Sequence, residues 1–272
     1  MTDVFNGKIA IVTGGTSGIG YAVSEDLLKR GATVWVIGSR QESIDKAKVS
    51  LAAYKQAKFA IADVSVADDV KRVIDTCMEK DLRIDYLFNN AGTGQKSPTG
   101  DNTLEDWKRL ININLWGVIY GIYYALPVML AQKSGHIINT SSVSGLFPTP
   151  FEALYVTTKT GVMGLTESLY YEYEPQNIAF TAVCPGNVAT AIFKGDVPEG
   201  SISPEEAARI ILDGVESKER LVVFPEDFKN LVEMCKDPGF RDMALRDSAK
   251  NDLEHFSSPD YKRSQDAMKH SQ

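Results

Sequence analysis

The chain has 272 residues, of which 43% are hydrophobic and 24% charged, the balance of an ordinary globular protein. Its net charge of −7 and pI near 5.1 argue against nucleic acid or an anionic membrane as the main partner. We see no apolar run near the roughly 20 residues that span a bilayer, and no signal-peptide pattern at the start. Three widely spaced cysteines suit free thiols in a reducing compartment, and no Cys/His spacing indicates a metal site. We therefore expect a cytoplasmic protein without a metal.

The first motif along the chain is a glycine-rich turn between a strand and a helix. Residues 8–13 form a β-branched run typical of a buried parallel strand, and TGGTSGIG follows at 13–20. A helical pattern then ends at Gly31, and residues 32–38 predict a second strand. Glycines let the backbone approach a pyrophosphate, which the free N–H groups of the next helix attract. Because the spacing is not G-x-G-x-x-G, only the place between strand and helix makes the turn a dinucleotide-site candidate.

The same alternation of strands and helices continues along the chain. Further strands are predicted at 57–64, 84–92, 135–142, 178–186 and 220–225, and helices at 65–80, 103–130, 153–174 and 203–215, with Ser65, Thr103 and Ser203 as N-caps. This pattern predicts an α/β fold: a single Rossmann-like, doubly wound parallel sheet of about seven strands over residues 1–225. Residues 226–272 are expected to be a C-terminal helical or irregular extension. It either forms surface helices and a polar tail or shapes the mouth of the active site.

The segment from 139 to 159 carries the strongest candidate for chemistry. Tyr155 and Lys159 are four residues apart and share a face if the segment after Ala153 is helical. A phenol has a pKa of about 10, which a nearby ammonium lowers. A hydroxyl such as Ser142 can hold a substrate oxygen while the tyrosine transfers its proton. The pair Tyr-x-x-x-Lys also occurs on helices by chance, and Ser141 is the rival of Ser142.

Several motifs occur together in one order. They are TGGTSGIG at 13–20, Asp63, NNAG at 89–92, Asn114, Ser142, YVTTK at 155–159 and PGNVAT at 185–190. In order and spacing they resemble the short-chain dehydrogenase/reductase family over roughly residues 5–225. The resemblance implies a sheet of seven parallel strands and an NAD(P)-dependent oxidoreductase. Where this family usually ends in Asp-Gly-Gly, the chain reads RLVVFPED.

The resemblance also implies a role for each matched residue. Tyr155 would be the acid-base, Lys159 would lower its pKa and hold the nicotinamide ribose, and Ser142 would bind the substrate oxygen. Asn114 would hold a water that links Lys159 to solvent. The pyrophosphate would be held by Gly14, Thr16, Ser17, Gly18, Ile19 and Gly20, the adenine by Asp63 and Val64, the adenosine ribose by Asn90, Ala91 and Gly92, and the nicotinamide by Pro185, Gly186, Val188 and Thr190. Local structural roles are the alternatives for Asn114, Asp63 and Thr190, and His136 is expected to be structural.

The end of the second predicted strand bears on the choice of cofactor. Enzymes of this kind select NAD(H) through an acidic residue, and here that position is Gly38, followed by Ser39 and Arg40. A guanidinium and a hydroxyl would bind a 2′-phosphate through charge-assisted hydrogen bonds. We therefore predict NADP(H) over NAD(H). Against this, the glycine turn has Ser17 where a second basic residue is common, Glu42 could reach a ribose, and Arg40 could simply begin the next helix.

These features favour an oxidoreductase that interconverts a secondary alcohol and a ketone by hydride transfer. The alternatives are a catalytically silent dinucleotide-binding sensor or scaffold and an enoyl reductase, whose wider Tyr-to-Lys spacing is missing. Candidate pocket residues are Gln95, Ser144, Leu146, Phe151, Phe193 and part of 191–202, a largely apolar set that favours a medium-sized hydrophobic ketone or alcohol in an open pocket. Helices 103–130 and 153–174 look apolar around much of their circumference, so we expect a homodimer or homotetramer.

Overall fold

The fold of the computed structural model, which describes residues 3–193, 195, 197–259 and 261, is one sheet covered by helices. The strands are β1 (Ile9–Thr13), β2 (Thr33–Gly38), β3 (Ala57–Ile61), β4 (Tyr86–Asn89), β5 (Gly135–Thr140), β6 (Ile178–Pro185) and β7 (Leu221–Phe224). The helices are α1 (Gly18–Lys29), α2 (Gln41–Ser50), α3 (Ala67–Asp81), α4 (Leu104–Ile111), α5 (Gly117–Gln132), α6 (Ala153–Tyr173), α7 (Pro204–Glu216), α8 (Glu226–Met234) and α9 (Pro238–Ser257). All neighbouring strands are parallel, in the order β3-β2-β1-β4-β5-β6-β7. The predicted fold class is confirmed.

The strand order reverses between β1 and β4, and this reversal positions the site. Chain connections leave β1 towards β2 on one side and reach β4 on the other, which opens a crevice at the carboxyl ends of these strands. Two apolar layers fill the sheet's faces. One contains Leu27 of α1 and Ile211 of α7, and the other contains Ile74 of α3, Val118 of α5 and Val162 of α6. The rigid sheet between these layers therefore holds the strand ends in place.

The predicted helix 103–130 contains an irregular turn. Thr103 caps its start through a reciprocal capping box with Asp106, as the sequence indicates. Residues Asn112–Trp116 then form a π-helical turn between α4 and α5. Such turns are rare and occur often at functional sites, and here the turn contains Asn114.

The same segment corrects our expectation about apolar length. Leu104–Gln132 is 29 residues long with a window of mean hydropathy 1.5, so by length and composition it could cross a membrane. The expectation that no run approaches that length was wrong. Val118, Ala125 and Met129 of this helix are buried in the layer that covers the sheet. The segment is therefore a core helix, and it is apolar because one of its faces packs against the sheet.

The boundaries around the third strand also differ from the prediction. The strand ends at Ile61, three residues earlier than expected, and Val66 rather than Ser65 is the N-cap of α3. The Asp63 carboxylate accepts hydrogen bonds from the backbone N–H (2.9 Å) and the hydroxyl (2.7 Å) of Ser65. Because the Ser65 hydroxyl already donates to Asp63 in this turn, it does not cap the helix that follows.

The C-terminal extension is helical and packs on the loops beside the crevice. Phe256 of α9 is 8% exposed and stacks on Phe151 with ring centroids 4.9 Å apart. Asp252 of the same helix pairs with Lys96 at 2.7 Å. Two helices, α8 and α9, are thus observed in the extension, and α9 contacts Phe151 and Lys96; whether it shapes the mouth of the active site stays a prediction. The predicted polar tail, residues 262–272, lies outside the described residues.

Candidate active site

The glycine turn and the loop after β4 pack directly together at the crevice. Gly14 has a positive φ of 64°, and a Cβ there would lie 2.9 Å from the Cα of Ala91. Only glycine tolerates both this conformation and this approach. A side chain at Gly20 would likewise meet the Asn90 amide. The glycine turn, which we call the glycine cradle, therefore presents bare backbone beside the loop after β4.

Thr13 joins the two loops and was not among the residues selected from the sequence. Its hydroxyl lies 3.2 Å from the Phe88 carbonyl, to which it donates, and accepts from the backbone N–H groups of Asn90 (3.0 Å) and Ala91 (3.1 Å). The Asn90 amide in turn donates to the Thr13 carbonyl at 3.2 Å. A hydroxyl at the carboxyl end of an otherwise apolar strand was the signal available for finding it.

The start of α1 offers free backbone donors to an anion. Ser17 is its N-cap with an extended backbone, and no side-chain hydrogen bond closes the cap. The N–H groups of the first turn, at Gly18, Ile19 and Gly20, therefore face the crevice side of the helix terminus. Thr190 approaches from the far loop, since a Cβ on Gly18 would lie 3.1 Å from its Cγ2. A residue assigned to the pyrophosphate and one assigned to the nicotinamide thus meet here.

Asn114 is buried at 1% exposure and joins the β4 loop to α6. Its Oδ1 accepts from the backbone N–H of Thr93, and its Nδ2 donates to the Thr93 carbonyl, each at 2.8 Å. Nδ2 also donates to the Thr158 hydroxyl at 3.2 Å. These side-chain bonds cross between elements, unlike the alternative in which Asn114 bonds within its own helix.

The two neighbouring serines after β5 have different surroundings. The Ser141 hydroxyl donates to the backbone carbonyl of Lys159 at 2.7 Å, which ties the strand end to α6. The Ser142 hydroxyl accepts from the backbone N–H of Ser144 at 3.2 Å and hydrogen-bonds Tyr155. Only Ser142 therefore accompanies the phenol, as the spacing favours.

Lys159 lies beneath the ring of Tyr155. The side chain is 4% exposed, its Nζ donates to the Thr140 carbonyl at 2.8 Å, and Nζ is 5.5 Å from the Tyr155 ring centroid. Burial lowers the pKa of Lys159 to about 8. A Cβ on Gly92 would lie 3.5 Å from this Nζ and 3.4 Å from Asn114 Oδ1. The loop after β4 thus reaches the lysine.

The pKa of Tyr155 differs from the lowered value that the resemblance implies. Burial raises it, and the neighbouring Glu152 and Cys184 raise it further, while the Ser142 hydrogen bond lowers it. The ammonium of Lys159 donates to a carbonyl and lies over the ring, so it does not offset the burial. Burial therefore favours the protonated form of the phenol.

The residues predicted to choose between NADP(H) and NAD(H) lie at the end of β2 and the start of α2. Gly38 is packed against Thr16, whose Oγ1 would be 3.0 Å from a Cβ at that position. Ser39 and Arg40 are exposed, and Arg40 is the N-cap of α2. The Glu42 carboxylate pairs with Lys46 of its own helix at 2.7 Å, so it is engaged away from a ribose.

The remaining predicted contacts divide between local and crevice positions. Asp63 has its carboxylate engaged by the Ser65 turn, and Val64 packs against Gly117. Val188 is buried and forms a bridge with Ile202. A side chain on Gly186 would collide with the Phe228 ring of α8, which places the extension against the Pro185–Gly186 step.

The predicted pocket residues are more polar in their contacts than the sequence suggests. Arg109 donates to the Gln95 Oε1 at 2.9 Å, and the Gln95 amide bonds Asn102. Phe151 has a positive φ of 59° and faces α9.

His136 on β5 has a structural role, as expected. Its ring nitrogen lies 2.8 Å from the Thr181 hydroxyl, and burial lowers the pKa of the imidazole to about 3. Among the described residues, no cluster of three His, Cys, Asp or Glu could hold a metal.

Comparison with known proteins gives this arrangement a family. The family model of the short chain dehydrogenases matches residues 8–199. The chain belongs to the short-chain dehydrogenase/reductase family. An oxidoreductase of Staphylococcus epidermidis is 34% identical over 188 residues, 69% of this chain and 81% of that one. An oxidoreductase of Listeria monocytogenes is 37% identical over 190 residues, 69% of this chain and 77% of that one. The protein is therefore an oxidoreductase of the short-chain dehydrogenase/reductase family.

Solved structures agree with the fold. A short-chain dehydrogenase/reductase from Burkholderia phymatum, in complex with NAD, superposes with a TM-score of 0.81 at 24% identity, covering 90% of this chain and 97% of that one. A short-chain dehydrogenase from Novosphingobium aromaticivorans gives a TM-score of 0.78 at 26% identity, with 92% and 96% covered. The short-chain dehydrogenase/reductase family binds NAD(P), and the Burkholderia structure contains NAD.

Proposed function

We propose that this short-chain dehydrogenase/reductase interconverts a secondary alcohol and a ketone, with NADP(H) as its preferred cofactor. One observation carries the proposal. The Ser142 hydroxyl, the Tyr155 phenol and the Lys159 ammonium converge beside the glycine cradle, within one buried cluster. A hydrogen-bond donor, a proton donor and a buried cation are the groups that a carbonyl needs as it becomes an alkoxide.

Each protein group has a definite task in this reaction. The bound nicotinamide supplies or accepts the hydride. Ser142 donates a hydrogen bond to the substrate oxygen, and Tyr155 gives that oxygen its proton during reduction or removes it during oxidation. Lys159 stabilises the phenolate that remains. Asn114 holds Thr93 and the loop that contacts the lysine. The raised pKa of Tyr155 suits the reductive direction, because the phenol stays protonated.

The cofactor preference rests on the end of β2. A carboxylate there would repel a 2′-phosphate, and Gly38 carries none. Arg40 is exposed at the start of α2, and the nearby carboxylate of Glu42 is held by Lys46. The guanidinium of Arg40, next to a strand end that carries no carboxylate, favours NADP(H) over NAD(H), although, after Lys46, it also lowers the pKa of the exposed Glu42 carboxylate.

The proposal extends to the substrate and the assembly. The substrate is a medium-sized hydrophobic ketone or alcohol, and nucleic acid and membrane are not partners of this acidic, cytoplasmic protein. Exposed aromatic side chains on the π turn and on α5 and α6, namely Trp116, Tyr123 and Tyr171 at 43%, 69% and 62% exposure, support a homodimer or homotetramer through these helices. Light scattering that gives a monomer at micromolar concentration would contradict the assembly.

Absorbance at 340 nm tests the activity. We expect oxidation of NADPH, and more slowly of NADH, with part of a panel of cyclic, steroid and acyl ketones. Tight cofactor binding without turnover across the panel would favour the silent sensor instead.

A further inference from the structure

A second polar cluster adjoins the proposed catalytic group on its substrate side. Ser144 is 7% exposed, and its hydroxyl donates to the Glu152 carboxylate at 3.0 Å. The backbone N–H of the same Ser144 donates to the Ser142 hydroxyl at 3.2 Å. Glu152 itself precedes α6 as its N-cap, three residues before Tyr155. A short path of hydrogen bonds therefore leads from a carboxylate to the group that holds the substrate oxygen.

Two other charges face this carboxylate. Lys96, from the loop after β4, and Asp252, from α9, both act on Glu152 and pair with each other at 2.7 Å. Asp252 is 16% exposed on its side chain, and its Oδ2 is buried without a hydrogen-bond partner among the residues that the structure describes. The cluster thus holds two carboxylates and one ammonium. Burial raises the pKa of Glu152, against the Ser144 hydrogen bond and Lys96, which lower it, so the carboxylate is costly to keep charged without a further cation.

Such a charge is costly unless a ligand neutralises it. A partly buried carboxylate loses hydration, and a cation with N–H donors restores the lost interactions at close range. An apolar ketone would leave Glu152 with the Ser144 hydroxyl as its direct partner. A ketone that also carries a protonated amine would place its cation where the chain supplies an unmatched anion.

We propose that Glu152 is a specificity-determining residue that binds a protonated amine on the substrate, so that the enzyme prefers amino ketones to neutral ketones of the same shape. This inference rests on the proposed function, since it names the substrate class of that site. The amine would lie on the face of the pocket closed by α9. Neutralising Glu152 would also remove a charge that disfavours the Tyr155 phenolate.

Matched ketones test the preference. N-methyl-4-piperidone, at a pH where its amine is protonated, is compared with 4-methylcyclohexanone, and 4-hydroxycyclohexanone tests a neutral donor. We expect kcat/KM for the amine to exceed that for the neutral isostere by about tenfold to a hundredfold, the range of a charge-assisted hydrogen bond. Equal kcat/KM values for the amine and its isostere would overturn the inference, and a matching preference for the hydroxyl would show recognition of any donor rather than of a cation.

Two substitutions should move the preference in opposite directions. Glu152→Gln removes the anion and should abolish the preference through KM of the amino ketone, with KM of the isostere little changed. Lys96→Met removes the competing cation and should increase the preference. Glu174 is exposed at the far end of α6, so Glu174→Gln is the control and should leave the preference for the amino ketone unchanged. A purely structural role for Glu152 would instead lower activity on both ketones alike, which would overturn the inference.

Binding without turnover separates this inference from the proposed function. In the NADPH complex of Tyr155→Phe, calorimetry with N-methyl-4-piperidone should show binding that is lost when Glu152→Gln is added. This result in the absence of any wild-type turnover would refute the proposed reaction and retain the amine site. If the wild type turns over ketones but Glu152→Gln does not change the binding of N-methyl-4-piperidone, the amine site is refuted and the proposed reaction is retained.

Discussion

The two sides of the crevice are built in different ways. On the cofactor side, the decisive features belong to the backbone: the positive φ of Gly14, its close approach to Ala91, and the free N–H groups of α1. On the substrate side, they belong to side chains: Tyr155 is partly buried near the carboxylate of Glu152, and Lys159 is buried near Cys184. A cofactor shared by a whole family can be held by main-chain shape, whereas an individual substrate needs side chains that can vary.

The cofactor side and the substrate side of the crevice also differ in how far their polar groups are hydrated. Burial raises the pKa of Tyr155 and lowers that of Lys159, because both charged forms lose hydration. On the other side, Ser17 and Arg40 are exposed and keep their hydration. We therefore expect substitutions on the substrate side to alter chemistry and pH dependence, and those on the cofactor side to alter affinity and stability.

The largest effect is expected at Tyr155. Replacement by phenylalanine removes the proton donor and keeps the ring packed on Lys159, so activity should fall by about 10²–10⁴-fold. Absorbance at 340 nm measures the loss, and fluorescence titration should show NADPH affinity little changed. Tyr54→Phe, in the turn before β3, is the matched control. A Tyr155→Phe variant with a tenth of the wild-type activity would refute the acid-base role.

Ser142→Ala and Ser141→Ala compare neighbours that face different groups. Loss of the Ser142 hydroxyl removes a donor to the substrate oxygen and should lower kcat by about 10²–10³-fold, and it also leaves the Ser144 N–H without this acceptor, which costs about 1 kcal/mol of stability. Loss of the Ser141 hydroxyl leaves the Lys159 carbonyl without this partner, so the free energy of unfolding should drop by about 1–3 kcal/mol. Activity assays and urea titrations distinguish them, and the reverse assignment of effects would exchange their roles.

Lys159 should give the protein a measurable dependence of stability on pH. Its pKa in the folded chain is lowered to about 8 from 10.5, so between these values the unfolded state binds more protons. The free energy of unfolding therefore rises with pH across this window, by up to about 3 kcal/mol. In urea titrations from pH 7 to 10.5, the free energy of unfolding of the wild type should rise relative to that of Lys159→Met, since the opposing effect of the buried Cys77 and Cys184, whose pKa values are raised to about 12, is common to both proteins. The exposed Lys55→Met is the control, and equal slopes for all three proteins would contradict the burial argument.

Arg40→Ala tests the cofactor side. Removal of the guanidinium should weaken NADPH binding by about 1.5–3 kcal/mol and leave NADH binding nearly unchanged, because only NADPH carries the 2′-phosphate. Fluorescence titration with both cofactors measures the difference. Lys48→Ala removes another exposed cation of α2 and should have little effect. Equal losses for both cofactors, or a wild-type preference for NADH, would show that Arg40 does not bind the phosphate.

The smallest effect is expected at Gly14. A Cβ there requires a left-handed backbone, which costs about 1–2 kcal/mol, and approaches the Ala91 backbone. Gly14→Ala should lower the melting temperature by several degrees and weaken both cofactors alike. Gly100→Ala, where a Cβ meets nothing within 4 Å, is the control. Unchanged stability and affinity would show that the turn tolerates a side chain.

Local signals in the sequence determined much of the fold. Strand, glycine turn and helix are adjacent in the chain, so their spacing predicts both the doubly wound sheet and the cradle. The Thr103 capping box is likewise a contact within four residues. The spacing of Ser142, Tyr155 and Lys159 indicated the catalytic candidates, because one short segment carries all three.

Other features arise only where distant segments meet. Thr13 and the β4 loop are more than seventy residues apart, and Asp252 reaches Lys96 from the last helix. The raised pKa of Tyr155 depends on burial, which no local pattern reports. The apolar helix 104–132 could be assigned to the core only once its neighbours were known. Local spacing determined which groups are present, and tertiary packing decided their environment, because hydration and charge depend on neighbours in space.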